Sequence, residues 1–172
     1  MMKTVTQFTL CSLAALALST QAVSAMDDGQ EFKDWTARCG SPAEGAPSSC
    51  VLEQIVFSED GSRPMLRAAA GYIQEDKAKA VPAVLFTVPL MVALEQGLAV
   101  SVDGQGAFVA RYHHCNPEGC VAGLPLDKTV LGSFKKGSKA AVQLLAINGQ
   151  AVQLTLSLSG FTAGYNALPS VK

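Results

Sequence analysis

The chain has 172 residues, 49% apolar and 16% charged, with 13 Lys and Arg against 14 Asp and Glu. That length suits one folded unit with a substantial core, and the apolar content argues against disorder. A net charge of −1 gives none of the cationic excess that a nucleic-acid binder or a polybasic membrane protein needs.

Residues 1–25 read as a cleaved secretory signal. Lys3 supplies the positive start, residues 8–18 a short apolar run, and Val23-Ser24-Ala25 small side chains at the cleavage positions. The run is about 11 residues where a bilayer span needs about 20. The remaining chain, 26–172, reads as a single β domain. Losing Lys3 and Cys11 with the signal moves the net charge to −2 and leaves Cys39, Cys50, Cys115 and Cys120. No later stretch suits a transmembrane anchor; residues 81–92 come nearest and are cut by Pro82 and Pro89.

The first predicted strand covers 32–38, with Trp35 as a large apolar anchor. A Pro-, Gly- and Ser-rich loop, 40–49, then separates Cys39 from Cys50. Residues 51–57 form the next strand, ending at Glu59-Asp60-Gly61-Ser62, a turn signal. Residues 65–73 are read as a strand despite partly helical spacing, 74–80 as a charged surface connection, and 83–88 as a continuous apolar strand. Residues 98–102 and 107–112 pair across Asp103-Gly104-Gln105-Gly106. Cys115 and Cys120 then flank Asn116-Pro117-Glu118-Gly119, a turn tetrapeptide. Residues 140–147 lead to Asn148-Gly149, the strongest hairpin signal in the chain. In 151–158, Val152, Leu154, Leu156 and Leu158 alternate with polar or small residues, which is a half-buried strand. Residues 160–168 suit a short terminal helix with Phe161, Tyr165 and Leu168 inward. Eight or nine strands and almost no helix predict an all-β fold, an antiparallel sandwich or barrel.

Four cysteines behind an export signal read as disulfides. They allow three pairings; the local sequence leans toward 39–50 and 115–120 and leaves the others open. A thioredoxin-type redox pair needs Cys-x-x-Cys at a helix start, which is absent. His113-His114 beside Cys115 raises zinc as a possibility. Export favours oxidation over thiolate ligation, and adjacent histidines on a strand face opposite ways, one exposed and one half-buried. No metal or cofactor is expected. There is no phosphate-binding glycine loop and no Gly-x-Ser-x-Gly elbow. Glu59 and Asp60 read as solvated turn residues, and Asp34 as a cap or a partner of Arg38. Lys135, Lys136 and Lys139 read as a wet hairpin edge that resists sheet-to-sheet pairing.

Four strings in order carry a family resemblance: Phe32-Lys33-Asp34-Trp35-Thr36-Ala37-Arg38-Cys39, the stretch from Val88-Pro89-Leu90-Met91 to Val102-Asp103-Gly104, Tyr112-His113-His114-Cys115-Asn116-Pro117-Glu118-Gly119-Cys120-Val121-Ala122, and Ser157-Leu158-Ser159-Gly160-Phe161-Thr162-Ala163. Over about residues 31–168 the chain resembles the invasion-associated locus B family of exported bacterial proteins. Lys33 stands where that family usually has Gly, and His113-His114 where it has an acid or polar residue. The resemblance implies a β-sandwich of immunoglobulin-like or jelly-roll character, disulfides Cys39–Cys50 and Cys115–Cys120, and Trp35 and Phe161 as core anchors. It also implies a location in the periplasm or at the outer surface of a Gram-negative bacterium, and in some pathogens an association with entry into host cells. No enzymatic activity comes with it. The expected function is a non-enzymatic interaction or structural module whose partner is an unknown envelope or host protein. The alternative is a periplasmic small-ligand carrier or enzyme with a site near His113 and His114.

Overall fold

Trp35 and Ala37, one pleat apart, are both fully buried, and this period of two recurs along most of the chain. The computed structural model describes residues 26–40, 49–76 and 79–169; the signal reading and most of the 40–49 loop lie outside them. The strands are β1 (Glu31–Phe32), β2 (Trp35–Cys39), β3 (Cys50–Phe57), β4 (Pro64–Asp76), β5 (Lys79–Val88), β6 (Leu98–Val102), β7 (Gln105–Asn116), β8 (Gly119–Pro125), β9 (Lys139–Leu145) and β10 (Ala151–Ser157). Two helices, α1 (Lys128–Lys136) and α2 (Phe161–Ala167), complete the fold.

The expected sandwich of immunoglobulin-like or jelly-roll character is not what forms. Among the described residues the strands make one open antiparallel sheet, in the order β1-β2-β3-β4-β5-β8-β7-β6-β9-β10. The reason lies in β7. Its first half pairs with β6, Leu98 opposite Ala110, while its second half pairs with β8, Arg111 opposite Gly123. One long strand thus joins two sets of strands that would otherwise be separate sheets, and alternation along β7 does not reveal which neighbour each half takes. The short C-terminal helix is present as α2.

The outer strands β1 and β10 have one ladder partner each, β2 and β9. Side chains connect β10 back to the start of the sheet. Trp35 Nε1 donates to the Ser157 carbonyl at 2.9 Å. The Gln54 amide accepts from Ser157 N–H at 2.9 Å and donates to the Ser157 carbonyl at 3.1 Å, filling both positions a neighbouring strand would fill.

Side chains from both halves of the sheet and from both helices share one core. Helix α1 is not among the elements the sequence predicts. The Asp127 carboxylate caps it, accepting from Thr129 N–H (2.8 Å) and Val130 N–H (2.9 Å). Val130 and Phe134, four apart, are its buried face. Lys135 and Lys136 therefore end a helix, where they favour the dipole, and Lys139 begins β9; none is a hairpin edge. Helix α2 starts at Gly160, whose φ of +91° is left-handed and whose missing Cβ leaves room for the Phe32 carbonyl. Lys33 also has a left-handed φ, +58°, which accounts for the glycine usual at that place in the resembled family.

Candidate functional site

Phe161 lies fully buried at the centre of an aromatic cluster, edge-on to Trp35 (5.3 Å) and Phe134 (5.4 Å) and stacked on Tyr165 (5.6 Å). Burial pushes the Tyr165 hydroxyl up to about 12, and the nearby Tyr72 adds to the shift. These residues fill the core and offer nothing to solvent.

The four cysteines form two cross-strand disulfides. Cys39 pairs with Cys50 in the β2–β3 ladder, and Cys115 with Cys120 in the β7–β8 ladder, each with Cα atoms 4.0 Å apart. Both sit between directly opposed residues, so they lock the register of strands already paired.

His113 and His114 lie where β7 carries a bulge: Tyr112 faces Ala122 and His114 faces Val121, leaving His113 as the extra residue. Both histidines are exposed, where one was expected to be half-buried. The His113 ring occupies the space that a Cβ on Gly123 would need, so it packs on the β8 backbone. Next to it in the chain, the Tyr112 hydroxyl is buried without a hydrogen-bond partner among the described residues, and desolvation raises its pKa to about 12. Among the described residues, no group of three His, Cys, Asp or Glu side chains is placed to hold a metal ion. No helix there is long and apolar enough to cross a membrane.

A more pronounced surface feature lies where the β5–β6 connection meets the β9–β10 turn. Ala93 N–H donates to the Leu145 carbonyl (2.7 Å) and Ile147 N–H to the Met91 carbonyl (3.0 Å), binding the two segments together. At this junction Met91 is 67% and Ile147 61% exposed, with Leu90 and Leu94 about half exposed. Met91 holds a φ of +71°, which for a side-chain-bearing residue costs about 1 kcal/mol. Glu95 is the one charged residue in 88–102 and 146–153. The surface is therefore apolar, nearly neutral and fixed in shape. Its components were visible in the sequence as Leu90-Met91 after Pro89 and as Ile147 before Asn148-Gly149, but nothing in either string showed that the two would meet.

A family model described as invasion associated locus B (IalB) protein matches residues 35–169. Two proteins titled invasion protein B homolog, from Brucella abortus strains 2308 and biovar 1 9-941, are each 25% identical over 163 residues, covering 94% of this chain and 90% of theirs. The crystal structure of invasion associated protein B from Bartonella henselae superposes with a TM-score of 0.67 at 19% identity, covering 80% of this chain and 91% of that one.

Proposed function

Because the chain belongs to the invasion associated locus B family, we propose that it works as an exported, non-enzymatic interaction module of the cell envelope. Its docking surface is the junction of Leu90, Met91, Leu94 and Ile147. The observation that carries this reading is Met91. A strained backbone presents a large apolar side chain to water, and the Ile147 N–H fixes that backbone in place. Contiguous exposed apolar patches mark interaction sites, whereas apolar residues exposed singly do not. With no lysine or arginine in either segment, the surface suits an apolar recess on a protein rather than an acidic or anionic partner.

The partner is an envelope or host-surface protein, and the invasion role in the relatives' titles would be exercised through this contact. A photo-crosslinker at Leu94 tests the reading in envelope extract. One discrete adduct should form, and it should be lost in Met91→Asp while circular dichroism and melting stay unchanged. An adduct equally strong in Met91→Asp and Ile147→Asp would remove this surface from the function.

A further inference from the structure

A cleft of about 340 Å³ opens on the other side of Pro89, lined by Ile55, Leu66, Val88 and Pro89 and by the polar side chains of Arg63, Arg67 and Glu118. We propose that this cleft binds a monocarboxylate carried on a small apolar group. The proposal goes beyond the apolar-junction reading and does not depend on it.

Arg67 is the centre of the argument. Glu53, in the middle of β3, is buried on the outer face of the sheet and divides its carboxylate between two arginines. Oε1 accepts from Arg67 Nε, and Oε2 accepts from Arg38 Nε at 3.2 Å. Because Arg67 is held through Nε, both of its Nη groups are left without a protein partner among the described residues. A guanidinium fixed in orientation, half exposed and with a free fork is pre-organised to take a carboxylate in two parallel hydrogen bonds.

At the other two polar corners it is the backbone that is held. Arg63 follows a turn in which the Asp60 carboxylate accepts from the Ser58 hydroxyl (2.6 Å) and from Ser62 N–H (3.1 Å). The Arg63 backbone then bonds Ser58 in both directions, through its carbonyl (2.9 Å) and its N–H (3.2 Å). Glu118 sits in the turn closed by the Cys115–Cys120 disulfide, its N–H bonded to Asn116 Oδ1 at 2.9 Å. No ion pair joins Glu118 to either cleft arginine. Among the residues that line the cleft, Arg63 and Arg67 against Glu118 leave a net +1, which one monoanion neutralises and a phosphate dianion overshoots. The apolar wall and the volume, at the lower end for small-molecule sites, add the second requirement of a short hydrocarbon body.

The test is an amide-shift NMR titration of the full chain with hexanoate, standing for a free apolar acid, and N-acetyl-leucine, standing for a peptide C-terminus; hexanol and inorganic phosphate are the controls. At least one carboxylate should shift amides in 63–67, 87–89 and 117–119 saturably, and the tighter of the two names the source. Hexanol and phosphate should bind about tenfold or more weakly. Arg67→Gln should weaken binding by about tenfold or more, with Arg63→Gln as the second variant should Arg67→Gln not fold. No saturable shift with either carboxylate, equal binding of hexanol, or tighter binding of phosphate would each overturn the proposal. Met91→Asp should bind the carboxylate as the parent does, so this result separates from that of the apolar junction.

Discussion

The half of the sheet built from β2, β3, β4, β5 and β8 and the half built from β6, β9 and β10 keep their strands in register by different means. The first is clipped by a disulfide at each side and carries the Arg38–Glu53–Arg67 network on its outer face. Among the described residues, the second has neither device. It relies on alternation, with Val100, Val142, Leu144 and Leu156 buried, and on turn chemistry. Asp103, left-handed at φ +47°, accepts from Ser138 N–H (2.9 Å) and Lys139 N–H (3.0 Å) and ties the β6–β7 turn to β9. The charged, pinned cleft belongs to the clipped half. The neutral apolar junction lies where the β5–β6 connection reaches the β9–β10 turn. Covalent and ionic restraint has gone where polar groups must hold their direction, and plain burial suffices where shape alone is presented.

The most damaging change should strike what couples the halves. Trp35 is fully buried, reaches β10 through its indole N–H and packs on Phe161 of α2. Trp35→Ala is expected to lower stability by about 3–5 kcal/mol in urea unfolding, and to raise hydrogen exchange at Ser157. A loss under about 2 kcal/mol would mean the halves stand independently.

Next in size are the clips themselves. Loop closure predicts about 3 kcal/mol for opening Cys39–Cys50 and about 2 for Cys115–Cys120, since the first spans 11 positions and the second 5. Paired Cys→Ser variants in urea measure both. Amide exchange in β9 and β10 should stay close to that of the parent, and a uniform rise across all ten strands would erase the contrast between the halves.

How much of this was legible follows from what is local. The β9–β10 hairpin was readable because Asn148-Gly149 and the alternation of 151–158 both act over neighbouring residues. The strand at 65–73 was correctly preferred over a helix, and it runs further than expected, as β4 through Asp76. Helix α1 is not legible although Asp127 is a good cap, because its inward face is only Val130 and Phe134 with Leu131 partly buried beside them, and Gly132 interrupts an already short segment. The sandwich expectation failed at β7, where one strand serves two neighbours. At the surface, His113-His114 drew attention as a string, yet both rings are exposed and neither lines the cleft. Arg63, Arg67, Glu53 and Glu118 are invisible as a group, since the β3–β4, β4–β5 and β5–β8 registers and the β7–β8 turn bring them together. Met91 gave no sign of its left-handed backbone, because methionine carries no turn preference.

The smallest effect, and the one most confined to the clipped half, is acid sensitivity at the turn carrying Arg63. The Ser58 hydroxyl is the largest cause that holds the Asp60 carboxyl near 2 instead of its usual 3.8, followed by Ser62 N–H and the Ser62 hydroxyl. A carboxyl whose folded pKa is depressed contributes stability that is complete above about 3.8 and is lost as pH falls toward about 2. Asp60 is fully exposed, so the loss should loosen its turn and leave the fold standing. Carboxyl NMR should place the Asp60 midpoint near 2, with amides of 58–63 moving through the same window. In Asp60→Asn that movement should vanish, while the amides of the Asn148-Gly149 turn behave alike in both proteins. A midpoint near 3.8 would show the hydroxyls turned elsewhere in solution, and Arg63 would then lack the rigid mount that sets its side of the cleft apart from the neutral junction.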